Sequence, residues 1–117
     1  GGIPVVELGD GSFAGVEAVV DKDHASSLLA KQLGADMLLM LTDVDAVYAG
    51  WGAPGAQALA EATISDLSAS DFAAGSMRPK VEAAIEFARS TGKPAAIGRL
   101  DDAAAIVSGA RGTRIVR

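Results

Sequence analysis

Residues 38–48 read Leu-Leu-Met-Leu-Thr-Asp-Val-Asp-Ala-Val-Tyr, an unbroken apolar run that passes into two carboxylates. A short apolar run without alternation is the pattern of a strand buried on both faces, as in the middle of a parallel sheet. Such a strand needs helices over both faces, so the expected class is α/β, a mainly parallel sheet sandwiched by helices. Small molecules bind beyond the carboxyl ends of strands in open α/β sheets, which makes Thr42 to Tyr48 the first candidate binding segment. The same letters also fit a plain turn, with Asp43 and Asp45 bonded to nearby backbone amides.

The 117 residues, half of them hydrophobic, suffice for one domain with its own core. No stretch reaches the roughly 18 consecutive apolar residues of a membrane span. A net charge of −5 argues against sequence-independent binding to nucleic-acid phosphate backbones or to anionic lipid. Without cysteine there is no disulfide framework, thiolate metal site or thiol nucleophile, and a cytoplasmic location is expected. The opening Gly1-Gly2-Ile3-Pro4, with no initiating methionine, reads as the start of a piece of something longer.

Along the chain, Ile3 to Leu8 is a strand candidate, and Gly9-Asp10-Gly11-Ser12 supplies a tight turn into a hairpin. Gly9, Gly11 and Ala14 also match a dinucleotide-binding spacing, but that motif needs a helix to open there, and Gly15, Val16, Val19 and Val20 oppose one. Val16 to Val20 reads as a further strand. Asp23 then caps a helix in which Ala25, Leu28, Leu29 and Leu33 recur at helical spacing and which Gly34 closes. With a strand at about Met37 to Leu41, this predicts a β-α-β unit of right-handed crossover. Tyr48 to Gly55 reads as loop, and Ser65 and Asp66 start a short helix. Pro79 sits in the first turn of the clearest helix, with Val81, Ala84, Ile85 and Ala88 on its buried stripe and Gly92 at its end. Pro94 to Ile97 gives a strand, Asp101 caps a helix to about Val107, and Thr113 to Val116 forms the last strand.

Two constellations carry possible chemistry besides the Thr42–Tyr48 exit. Asp21-Lys22-Asp23 lies at a helix entrance, where backbone amides, the helix dipole and a lysine together suit phosphate. On pattern alone the plainer reading is Asp23 as only a cap, since Asp is among the commonest capping residues. Gly75-Ser76-Met77-Arg78-Pro79-Lys80 is a second helix entrance with small residues and two cations, although it lacks the Walker spacing. There the plain alternative is Ser76 as a cap with Arg78 and Lys80 solvated. His24 has no nucleophile or metal-ligand partner at motif spacing and reads as solvated. Tyr48 and Trp51 either stack on a base or pack over the sheet edge.

The chain resembles the C-terminal domain of the carbamate kinases, in the amino acid kinase family. The resemblance rests on ordered blocks: Gly-Gly-Ile-Pro-Val, Gly15-Val16-Glu17-Ala18-Val19, Asp21-Lys22-Asp23 with Ala25-Ser26, Leu41 to Tyr48, Phe72 to Met77, Pro79 to Ala84 and Gly112 to Val116. It implies reversible phosphoryl transfer between ATP and carbamate, giving ADP and carbamoyl phosphate, with Mg2+ and a homodimeric parent protein. Residue by residue, it implies that Lys22 and Lys80 neutralise the transferring phosphoryl group and that Asp23 holds those lysines. It places Thr42, Asp43, Val44, Asp45, Tyr48, Gly75, Ser76 and Met77 in the nucleotide pocket, and it assigns no residue to a metal. Arg78 stands where the family usually has glycine, and His24 where a leucine-like residue is usual. The family's N-terminal domain, with its glycine-rich phosphate loop, a further lysine and much of the carbamate site, precedes the matching region. The expectation is a single ATP-binding C-terminal domain over residues 1–117, half of an active site that does not turn over by itself. Another amino acid kinase, such as an acetylglutamate, aspartate or uridylate kinase, and a non-catalytic nucleotide-binding module remain the alternatives.

Overall fold

A computed structural model of the chain describes residues 2–67 and 77–117. It opens with a hairpin of β1 (Val5–Glu7) and β2 (Phe13–Gly15), paired antiparallel with Val6 opposite Ala14. Gly11, at φ 81, makes the turn, and the Asp10 carboxylate accepts the Ser12 backbone N–H at 2.9 Å. The predicted strand over Val16 to Val20 is absent. After Val16, whose N–H reaches Pro4 O at 3.2 Å, these residues have no sheet neighbour, and a strand exists only through its partner. The predicted β-α-β unit therefore does not form with that segment.

Helix α1 (Lys22–Gln32) ends as expected at Gly34, φ 67. Its cap is Asp21 rather than Asp23: Asp21 is extended, and its carboxylate accepts the N–H groups of Asp23 and His24 at 3.0 and 2.9 Å. The residues it buries are Asp23, Ser27 and Ala30, while Leu28, Leu29 and Leu33 face outward. The core strand β3 (Leu38–Thr42) lies one residue beyond its predicted position.

The segment read as loop contains a ribbon, with β4 (Val47–Ala49) antiparallel to β5 (Gln57–Leu59); Tyr48 is therefore a strand residue. β6 (Glu61–Thr63) follows and ends in a turn over Ile64 to Asp66 where a short helix was expected; Asp66 accepts the Thr63 N–H at 3.1 Å. The predicted lead-in Phe72 to Ser76 lies outside the described residues. Helix α2 (Met77–Thr91) carries the predicted stripe and adds Ala83 and Phe87 to it. Beyond Gly92, β7 (Ala95–Arg99) leads into a 3-10 turn at Leu100–Asp102 and then α3 (Ala103–Val107). Asp101 does not cap that helix: it lies inside the 3-10 turn, and neither cap position there makes a side-chain hydrogen bond. β8 (Thr113–Val116) falls where predicted.

The main sheet has the order β3-β7-β8-β6, with β3–β7 and β6–β8 parallel and β7–β8 antiparallel. Ala95 and Ile97 of β7 join Leu38 and Met40 of β3 and the α2 stripe in one core. On the opposite face, Gly98 leaves room for Ile106 of α3: a Cβ there would lie 2.6 Å from Ile106 Cδ1. Helices thus cover both faces of β7, and Ala95, Ala96, Ile97 and Gly98 are all buried. The expected α/β class with an N-terminal hairpin holds.

Candidate functional site

Because Asp21 takes over the capping of α1, the Asp23 carboxylate is free to turn across to α2. Lys80 Nζ donates to its two oxygens at 3.3 and 3.2 Å. Lys22 Nζ lies 3.5 Å from the same carboxylate. Water reaches the two ammonium groups very differently: the Lys80 side chain is 7% exposed and that of Lys22 66%. A fixed positive charge and a mobile one therefore share one anchoring carboxylate.

The helices that carry these groups run side by side in the same direction. Asp23 meets Lys80 in their first turns, and Lys31 bonds Glu86 at 2.5 Å further along both. Their positive dipole ends are thereby placed together with the lysines. The α1 amides do not serve as an anion cradle, however, since Asp21 occupies those of Asp23 and His24. What α1 presents is ammonium charge. His24 is exposed and its Nδ1 lies 2.9 Å from Asp21 Oδ1, in keeping with a solvated residue.

The turn at Gly92 to Pro94 returns α2 directly into β7, so the first turn of α2 lies toward the carboxyl ends of β7 and its parallel neighbour β3. There, Thr42 Oγ1 donates to Asp43 Oδ1 at 3.0 Å. Thr42 and Asp43, with Leu41, Arg99, Leu100 and Asp101, line a cleft of about 560 Å³. Val44 is half-buried between the two carboxylates. Asp45 turns toward β4 and accepts the Tyr48 hydroxyl at 3.0 Å, which raises the pKa of that phenol. The Tyr48 ring meets Trp51 edge-on, with centroids 5.4 Å apart. Asp45 also lines a smaller cavity of about 220 Å³ beside Ala58, Asp102 and Arg111.

The β4–β5 ribbon is fastened to the main sheet by one buried hydroxyl. Thr113 Oγ1 accepts the Val47 N–H at 2.8 Å and donates to Leu59 O at 2.5 Å.

The structure thus joins Lys22, Asp23 and Lys80 in one cluster, and Thr42 and Asp43 in one cleft. Asp45 and Tyr48 form a separate bonded pair. Met77 opens α2 and packs against the core, Arg78 Nε is engaged by Glu82 at 3.0 Å, and Gly75 and Ser76 lie outside the described residues. Sequence reading missed Arg99 and Asp101. The sequence marked a strand at Pro94 to Ile97, but only the pairing of β7 with β3 shows that its carboxyl end emerges beside Thr42.

The amino acid kinase family profile matches residues 1–99. The chain belongs to the amino acid kinase family. Within that family it is 49% identical over 117 residues to the carbamate kinase of Haemophilus influenzae, covering 100% of this chain and 38% of that protein. The carbamate kinase of Halobacterium salinarum is also 49% identical, over 99% of this chain and 39% of its own length. A carbamate kinase structure from Giardia lamblia bound to AMP-PNP superposes with a TM-score of 0.94 at 45% identity, covering 100% of this chain and 42% of that one. The chain therefore spans less than half the length of the curated relatives it matches. No helix among the described residues is long and apolar enough to cross a membrane.

Proposed function

We propose that this chain is the nucleotide-binding, C-terminal domain of a carbamate kinase, a phosphotransferase that moves a phosphoryl group reversibly between ATP and carbamate. The observation that carries the proposal is the Lys22–Asp23–Lys80 cluster at the paired helix starts, on the side of the sheet where β3 and β7 end. Phosphoryl transfer asks of the protein chiefly alignment and neutralised charge. Lys80, held by Asp23, supplies a preorganised charge for the phosphoryl oxygens, and Lys22 a second that moves with the ligand. Thr42 to Tyr48 and Met77, with Gly75 and Ser76, are assigned to the nucleoside.

Among the described residues, no group of three or more His, Cys, Asp or Glu is arranged around a metal position. Mg2+ fits this site as a companion of the nucleotide phosphates, its usual mode in kinases, rather than in a protein cage. The rest of the carbamate site is assigned to residues outside these 117, so this stretch binds nucleotide without turning it over. The parent enzyme is expected to be a cytoplasmic homodimer with small-molecule substrates.

The test of the reaction is ATP formation from ADP and carbamoyl phosphate by a protein that carries this chain together with the preceding domain. Activity that disappears in Lys80→Ala is the expected result. An enzyme inert toward carbamoyl phosphate but active on another acyl phosphate or nucleotide would replace carbamate with that substrate.

A further inference from the structure

Arg99 closes β7 directly opposite Thr42, the last residue of β3. In-register residues of a parallel pair project to the same face, with side chains alternating along each strand. Leu38, Met40 and Thr42 therefore form one row, and Ala95, Ile97 and Arg99 another. The first two members of each row are in the core packed on α2, so Thr42 and Arg99 leave the sheet on the α2 side, toward the turn that holds Lys80.

Three further observations bear on Arg99. Among the described residues its side chain makes no ion pair or hydrogen bond, which is also true of Arg89, Arg114 and Arg117, but of these four only Arg99 lines the cleft. It shares the 560 Å³ cleft with Asp43 and Asp101 without bonding either. Its charge also reaches Tyr48: the Asp45 hydrogen bond raises that phenol's pKa, and Arg99 partly offsets the rise. On the other face of β7, Gly98 lets the backbone of Asp45 come close, since Asp45 O lies only 3.2 Å from where a Cβ at Gly98 would stand.

The chemistry of the cleft differs from that of the lysine cluster. Two carboxylates beside one guanidinium oppose a phosphate. They match a neutral heterocycle that presents a donor and an acceptor on one edge, and Leu41 and Leu100 supply apolar surface for its faces. A purine has such an edge, with acceptor N7 next to an exocyclic group at C6. We propose that Arg99 is a specificity-determining residue that donates to N7 of a purine base in this cleft, with Asp43 placed to accept from an exocyclic amine. The inference rests on the nucleotide reading above, which already assigns Thr42 to Tyr48 to the nucleoside, and adds to it the side chain that reads the base.

The experiment is isothermal titration of the protein with Mg2+ and either ADP or 7-deaza-ADP, in which N7 is replaced by C–H. Because a hydrogen bond to a charged donor is involved, 7-deaza-ADP is expected to bind wild type about tenfold more weakly than ADP. In Arg99→Ala, ADP should fall to the 7-deaza level and the two ligands should become equal. Equal affinities in wild type, or a discrimination that persists in Arg99→Ala, would overturn the proposal. Those failures differ from failure of the nucleotide reading: if ADP does not bind, or binds equally well in Lys22→Ala, that reading falls and this inference with it.

Discussion

Asp23 bonds a lysine that water barely reaches and lies beside one that is mostly solvated, and this asymmetry sorts the effects of substitution. Removing its carboxylate in Asp23→Ala leaves the Lys80 ammonium buried without its partner, a loss of about 3–5 kcal/mol on denaturant unfolding. The pair replaced together by apolar residues, Asp23→Leu with Lys80→Met, should recover most of that stability while abolishing nucleotide binding. A double variant no more stable than Asp23→Ala would mean that the buried pair is not what the single substitution disrupts. Ser27 faces inward on the same helix, and its hydroxyl has no partner among the described residues. Ser27→Ala gives up no hydrogen bond, so its unfolding free energy should equal or exceed that of wild type. The sequence pointed to Asp23 by type and spacing but misassigned it as the cap. Asp21 and Asp23 are both good capping residues two positions apart, and only the helix start decides which one is released for other work.

At the scale of elements, the cap on α1 has a pH signature. The His24 backbone N–H, and then its ring, donate to the Asp21 carboxylate and lower its pKa; the Lys31 hydrogen bond does the same to Glu86. A carboxyl with a depressed folded pKa stabilises the fold in full above its unfolded value, near pH 4, and loses that contribution as pH falls through the folded value. Helicity measured by circular dichroism should therefore decline on acidification below about pH 4. Asp21→Asn, which keeps a capping oxygen without the charge, should show a shallower decline, and an unchanged acid limb would remove Asp21 from that account. The β4–β5 ribbon depends on Thr113 instead. Thr113→Val keeps the shape and strands the buried Val47 N–H and Leu59 C=O, so a cost of about 1–3 kcal/mol is expected in chemical denaturation. Helix α2 was legible because its fifteen residues carry a complete apolar stripe, with Pro79 in the first turn and Gly92 just past the end. β4, β5 and β6 were not, since three residues are too few to show alternation. The outward Leu28, Leu29 and Leu33 of α1 illustrate the converse: their periodicity identifies a helix but not the face it buries, and here the polar contact of Asp23 with Lys80 sets that face.

For the whole molecule, the site depends on distances along the chain that no local pattern contains. Asp23 and Lys80 are 57 residues apart, and Thr42 and Arg99 are ladder partners only because β7 returns beside β3. The apolar run of β3 and the ordered blocks of the family pattern made the fold class and the lysines readable. The partnership of Thr42 with Arg99 was hidden because strand order is fixed by tertiary pairing. On this reading the phosphates of a nucleotide are held where α1 and α2 begin. Titration of ADP with Mg2+ into wild type and Lys22→Ala addresses it most directly, because Lys22 is solvated and its removal leaves the buried pair intact. Loss of one charge-assisted contact predicts binding weakened about tenfold or more in Lys22→Ala, with unfolding unchanged. Equal affinity in the two proteins, or no binding by wild type, would contradict it.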